Sequence, residues 1–324
     1  MTILWCGGED IDFTENISIN SATTYCKSGS TARCSFYGSG FSKGIANFSA
    51  ITSGWLSFQG YFGNQAATKN LFICGLVLSS TTNKGLWIGV DASTEGKLAL
   101  YKYDGSTKTS LASESGTSLN NTVKKIDMHI VSYGVSATVT VYINGALVIT
   151  YSGDTTVSGV TNLDTVGVGG GYGTVGYLHA SEIIVSDADT RAMALVSVIP
   201  SAAGTVSDWT GAYTAIDETV ISDDDFVSTV TADQIFECNV TDMPSGSYTI
   251  KAVKSVVRAA DLSMALGLQL GIRVGTTIAL SSTKTLDIVP STQEIIYQVN
   301  PETSAAFSKS DIDSLQLAYK SVAL

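Results

Sequence analysis

Histidine is almost missing from this 324-residue chain, which holds only His129 and His179. So few imidazoles leave little room for His-based metal binding or acid–base catalysis, and no Ser-His-Asp order can be assembled from them. Basic residues are scarce as well: 18 Lys and Arg stand against 29 Asp and Glu, a formal charge of −11. That balance excludes a surface built to neutralise nucleic-acid phosphates, and it disfavours an electrostatic grip on anionic lipid. No apolar run approaches the roughly 20 residues of a membrane-spanning helix. The first residues, Met1 to Asp10, lack the basic and apolar segments of a secretory leader, which predicts synthesis in a reducing cytoplasm. Cysteine is limited to Cys6, Cys26, Cys34, Cys74 and Cys238, an odd number without a Cys-x-x-Cys spacing, so a zinc or redox motif has no support. The alternatives are a Cys26–Cys34 pair across a loop or free buried thiols, and the thiols are the expectation.

What the chain does have is apolar content and alternation. Hydrophobic residues make up 44% and charged residues 15%, ample for packed cores and too apolar for disorder. Apolar and polar residues alternate in 55–62, 71–78, 85–90 and 97–103, separated by Gly, Ser, Thr, Asn and Asp, the pattern of half-buried strands. Asp104-Gly105 and Asn144-Gly145 predict two-residue hairpin turns, because both central positions tolerate positive φ. In the second, Thr138–Ile143 runs into the turn and Ala146–Tyr151 runs out, with Val139, Val141 and Ile143 on one face. Helical periodicity is almost absent over the first 190 residues.

A boundary is expected near 190–207. All four prolines lie within it or beyond it, and residues 1–195 carry 11 basic and 14 acidic side chains against 7 and 15 in 196–324. The expected organisation is a β-sandwich over 1–195, a short connector over 196–207 and a second module over 208–324. Strands are predicted at 234–240, 248–257, 266–274 and 294–299. One short helix follows Ser308, which would cap it, with Asp311 at the third helical position where a carboxylate is favoured.

The stretch Lys125-Ile-Asp-Met-His-Ile-Val-Ser-Tyr, then Val139-Thr-Val-Tyr-Ile-Asn-Gly, Val166-Gly-Val-Gly and Leu178-His-Ala-Ser-Glu-Ile-Ile-Val-Ser, resembles the laminin-G or concanavalin A-like sandwich. That resemblance implies that the last strand returns beside the first, placing Ile3-Leu-Trp next to Glu182–Val185. The second half resembles C-terminal modules of tailed-bacteriophage virion proteins, through Asp208-Trp-Thr-Gly, Ser222-Asp-Asp-Asp-Phe-Val-Ser, Met243-Pro-Ser-Gly-Ser-Tyr and Asn300–Gln316. It departs from that pattern at Phe307, where Trp is usual, and at Ala318, where Gly is usual. The expected fold class is all-β: two tandem β-sandwiches, the first a concanavalin A-like/laminin-G jelly roll, the second a smaller antiparallel sandwich with one short helix. A fold of this kind does not by itself fix a function.

Several constellations invite chemistry. Asp10-Ile-Asp12-Phe-Thr-Glu15 is similar to the carboxylate strand of glucanases on the concanavalin-like fold, where two carboxyls about 5–5.5 Å apart perform retaining hydrolysis. Asp10 holds the nucleophile position with too short a side chain, so a solvated turn is expected instead. Gly171-Tyr-Gly-Thr-Val-Gly176 matches a dinucleotide fingerprint in form, but a strand rather than a helix follows it. Asp223, Asp224 and Asp225 are the calcium suspects, on carboxylate chemistry alone. The family resemblance also puts ligands at the sandwich rim, for which Asp91, Asp104, Asp154 and Asn162 lie on expected loops. Tyr172, flanked by glycines, is the aromatic expected at a loop tip, whereas Trp55, Tyr61, Phe62, Trp87, Tyr101 and Tyr103 are expected mostly in the core. His129 and His179 are expected to be structural.

Together these readings predict a non-enzymatic virion structural protein of the tail tip or fibre, assembled in the host cytoplasm. Its partners would be other virion subunits, copies of itself in a homo-oligomer (a trimer by analogy with fibres), and a host-surface glycan or protein. No nucleic acid, membrane insertion or obligate cofactor is expected, with calcium the one possible ion. The alternatives are a capsid-decoration or head-fibre protein and, from a different class, a glycosidase.

Overall fold

The computed structural model describes residues 1–8, 44–62, 71–80, 83–91, 97–116, 122–169, 178–218 and 222–324. Its contacts divide the chain into two units that meet between Leu195 and Val196.

The first unit is built from twelve described strands: β1 (Ile3–Gly7), β2 (Gly44–Ile51), β3 (Gly54–Phe62), β4 (Leu71–Val77), β5 (Gly85–Asp91) and β6 (Lys97–Tyr103). Then come β7 (Lys108–Ser113), β8 (Thr122–Ser132), β9 (Ala137–Ile143), β10 (Ala146–Gly153), β11 (Leu163–Val168) and β12 (Leu178–Ser186). They form two antiparallel six-stranded sheets, ordered β1-β12-β3-β8-β9-β10 and β2-β11-β4-β5-β6-β7. Period-two alternation decides which side chains meet between them. Leu56 and Phe58 on β3, Ile126, Met128 and Ile130 on β8, and Val139 and Val141 on β9 point inward. They meet Leu86, Ile88, Leu98, Leu100, Val166 and Val168 of the other sheet. Each such burial contributes about 1.5–3 kcal/mol. β1 lies against β12 with Trp5 opposite Val185 and Gly7 opposite Ile183, the closure implied by the concanavalin-like resemblance.

The Asn144-Gly145 turn has the expected form: φ is 49° and 81° at its two residues, and Ala146 pairs Ile143. The Asp104-Gly105 turn does not. Four residues, 104–107, separate β6 from β7, because Asp104 Oδ1 accepts from the Ser106 and Thr107 amides and wraps the loop around itself.

The second sheet also buries aromatics on its far side, where Phe72, Trp87, Tyr101 and Tyr103 form a cluster. The Trp87 indole lies flat because the strands beneath it present glycine. A Cβ on Gly75 would come within 2.9 Å of the indole, and one on Gly167 within 2.5 Å. Indole Nε1 donates to Asn83 O, Tyr101 OH to Val90 O and Tyr103 OH to Gly105 O, so the polar tips are satisfied by nearby backbone. These aromatics are core, as their strand positions predict.

The second unit contains β13 (Pro200–Ser207), β14 (Ile235–Val240), β15 (Val253–Ala259), β16 (Leu266–Val274), β17 (Thr277–Leu280), β18 (Lys284–Thr285), β19 (Ser291–Tyr297), α1 (Lys309–Asp313) and β20 (Gln316–Ala323). One sheet runs β13-β14-β20-β16-β17 with β18 beside β16, and β15 pairs β19 in a separate ribbon. Phe236, Cys238, Leu268, Leu270 and Tyr319 form a core on which the ribbon residues Val257 and Ile295 pack. Phe307 is buried beside Val240, Ile272 and Ile312, a core position of this unit. Ser308 and Asp311 form the expected capping box at the start of α1. The segment read as a connector is different: Pro200–Ser207 is a strand of this sheet, paired with β14. Its Pro, Gly and small residues suit an edge strand, which has one unpaired side.

Candidate functional site

Most residues singled out in the sequence do not converge. Asp10, Asp12, Glu15 and Tyr172 lie outside the described residues, as do Cys26, Cys34 and the Gly171–Gly176 run. Asp91 ends β5 with its backbone opposite Lys97, and its side chain is outside the described set, like that of His179. Asp154 is consumed by its own loop. Oδ1 accepts from the Thr156 amide and hydroxyl, and Oδ2 pairs Lys102 Nζ at 3.1 Å. The Thr156 hydroxyl and amide, with Lys102 beside them, hold its pKa down to about 2. Asn162 is half-buried in the turn before β11. Asp223 forms a two-pronged pair with Arg258 at 2.7 and 2.9 Å, while Asp224 and Asp225 stay exposed. Among the described residues, no cluster of His, Cys, Asp and Glu suits a metal ion. Cys6, Cys74 and Cys238 form no disulfide, and burial pushes the Cys238 pKa up to about 12.

A different constellation occupies the outer face of the β1–β10 sheet. Residues that alternate with the core positions line up across strands in rows set by the register. One row runs Ser186, Trp55, His129, Thr140, Thr150, and the next runs Ile184, Ser57, Asp127, Tyr142, Leu147. Trp55 and His129, directly opposite each other, stack with centroids 4.1 Å apart and planes 8° apart. Tyr142 stacks on Trp55 at 5.8 Å. The Arg191 guanidinium lies 4.6 Å over Tyr142 and 5.5 Å over Trp55, a cation–π arrangement. Arg191 is oriented by Asp189, with Nε 3.0 Å from Oδ1, and that bond holds the Asp189 carboxyl below its usual range. Burial pushes His129 down, with Asp189 opposing. The face beyond is open and hydroxyl-rich, with Thr150 and Ser152 exposed on β10.

The residues after β12 cross this face as a strap. Lys125 donates its ammonium protons to Thr190 O at 2.8 Å, Arg191 O at 3.1 Å and Met193 O, gathering three carbonyls on one charge. The Thr190 hydroxyl donates to Asp127 Oδ1 at 2.8 Å. Asp127 is fully buried, and desolvation raises its pKa, with the Thr190 hydroxyl and the Lys125 charge opposing. Lys125, Tyr142, Asp189 and Arg191 escaped the sequence reading. The available signal was strand parity: Lys125-x-Asp127-x-His129 and Thr138-x-Thr140-x-Tyr142 are the polar half of the alternation that nominated the core.

No protein-family profile matches the chain, and no curated protein does. Similar solved structures include a carbohydrate-binding module, CBM66 from Bacillus subtilis (12% identity, 45% of this chain, 83% of that chain, TM-score 0.32). An endo-β-1,4-glucuronan lyase from the fungus Trichoderma reesei is another (12%, 58%, 96%, 0.37), as is the T. cruzi calreticulin globular domain (11%, 58%, 89%, 0.39). Likenesses this loose carry no argument about ligand or chemistry.

Proposed function

We propose that the chain is a non-enzymatic attachment protein whose first unit presents the outer face of β3, β8, β9 and β10 to a glycan. The observation that carries this reading is the half-buried Tyr142 ring, backed by the buried Trp55 and its stacked partner His129, on a hydroxyl-rich face. Sugar rings offer C–H faces that lie on aromatic rings and a rim of hydroxyls that exchange hydrogen bonds with Thr and Ser. A flat face of this kind binds weakly, and repeated copies on an oligomer convert weak contacts into avidity. The non-catalytic reading is supported by Asp104, Asp154 and Asp223, each of which directs carboxylate oxygens to its own loop or to a cation. It requires no cofactor. The finer setting, a tailed-phage tail tip or fibre, rests on the sequence resemblance of the second half.

The test is a glycan array probed with the full chain, beside Tyr142→Ala and Thr150→Ala. Retention on a defined set of glycans, weakened roughly tenfold in each variant with an unchanged melting temperature, is expected. Retention unaffected by both substitutions, or polysaccharide cleavage abolished by Glu15→Gln, overturns the proposal.

A further inference from the structure

The strap from Asp187 to Leu195 rests on polar side chains. Ser57, Asp127 and Ser181 are each at most 1% exposed and Gln59 is 7% exposed. Three atoms in this seam have no hydrogen-bond partner: Gln59 Oε1, Asp127 Oδ2 and Ser181 Oγ. The register places them together. Ser181 is opposite Gln59, and Ser57 is opposite Asp127, so Gln59 and Asp127 are diagonal neighbours on adjacent strands, within side-chain reach. Buried polar atoms are nearly always paired, and a seam holding two orphan acceptors and one orphan hydroxyl calls for a donor-bearing occupant.

The seam also continues the aromatic stack. Trp55 and Ser57 are successive outward residues of β3, and Asp127 and His129 are successive outward residues of β8. With the strap lifted, one strip of sheet would offer ring faces followed by hydrogen-bond acceptors, the two halves of a sugar subsite. Lys125 is the clamp that holds it down, through Thr190, Arg191 and Met193.

We propose that Asp187–Leu195 is a displaceable cover, and that the seam of Ser57, Gln59, Asp127 and Ser181 beneath it reads the hydroxyls of a neutral sugar ring. This rests on the glycan reading above and specifies its ligand. The orphan acceptors need hydroxyl protons, and the carboxylates of Asp127 and Asp189 disfavour an acidic sugar. A closed strap reduces apparent affinity by the fraction of molecules that are open.

The experiment uses the full chain with neutral pentasaccharides (cellopentaose, maltopentaose, mannopentaose) and an acidic one, a mannuronate pentamer. Binding is measured by calorimetry, and amide exchange is followed over 187–195. Sugar binding is expected to speed exchange in the strap. Lys125→Met is expected to bind the same neutral sugar about tenfold more tightly, and Gln59→Leu to bind it at least tenfold more weakly while melting at an equal or higher temperature. Unchanged or slowed strap exchange on binding, a Gln59→Leu variant that binds like the parent, or preference for the acidic pentamer overturns the cover and its neutral ligand while leaving glycan attachment standing. If no pentasaccharide binds the parent or Lys125→Met, and the glycan array is blank, both readings fail.

Discussion

Asp127 carries a charge where charge is costly, and its pH behaviour follows. Its pKa is raised in the folded chain, so above the unfolded carboxylate value of about 3.9 the fold holds more proton than the unfolded chain does. The ionised group therefore lowers stability at neutral pH; that penalty shrinks as pH falls through the raised folded value and is gone below the unfolded one. Asp127→Asn keeps an acceptor for Thr190 and adds a donor for the orphan acceptors. It is expected to melt at or above the parent temperature at pH 7, with the difference narrowing at pH 4. Asp127→Ala removes the acceptor and is expected to cost about 1–3 kcal/mol. Asp154 behaves in the opposite sense. With its pKa lowered to about 2, its contribution is complete above the unfolded value and is lost as pH falls toward 2. Acid melts of Asp154→Asn should therefore converge with the parent near that pH. The structural role of such carboxylates was readable: Asp104-Gly-Ser106 and Asp154-Thr-Thr156 share an Asp-x-Ser/Thr spacing that lets the carboxylate accept from an amide two residues on. Loop position alone suggested ligands, whereas local hydrogen bonding had already claimed the oxygens.

The elements were most legible where the signal is local. Lys97–Tyr103 and Leu266–Val274 form strands with the bounds that their alternation marks, and the Ser308 cap needs only the next three residues. Register between distant strands is not local, so the meeting of Trp55 with His129 and Tyr142 could not be read, although all three sit on the polar parity of their strands. Gly145, at φ 81°, is the sharpest test of a local element. Gly145→Ala is expected to cost about 1 kcal/mol through strain in the hairpin, measured by urea unfolding. Asn144→Ala should cost more. It loses left-handed tolerance, and it also loses the bond that Oδ1 accepts from the Lys125 amide, which ties the turn to β8. Ser308→Ala should cost about 1 kcal/mol by removing the cap of α1.

At the scale of the whole molecule, each unit has its own core, and the expected outcome is two separable responses to mutation. Phe58→Ala, in the core between the two sheets of the first unit, should cost about 3–5 kcal/mol there. In calorimetry of the full chain it should lower one transition and leave the transition of the second unit in place. The first unit closes by pairing β1 with β12, strands about 180 residues apart in sequence. The second places β20 in the middle of its sheet, flanked by β14 and β16. A nascent chain on the ribosome thus has no way to complete the second sheet until 316–323 have left the exit tunnel. Until then β14 and β16 each lack a neighbour, and any chaperone that attends this unit must hold it until that strand emerges.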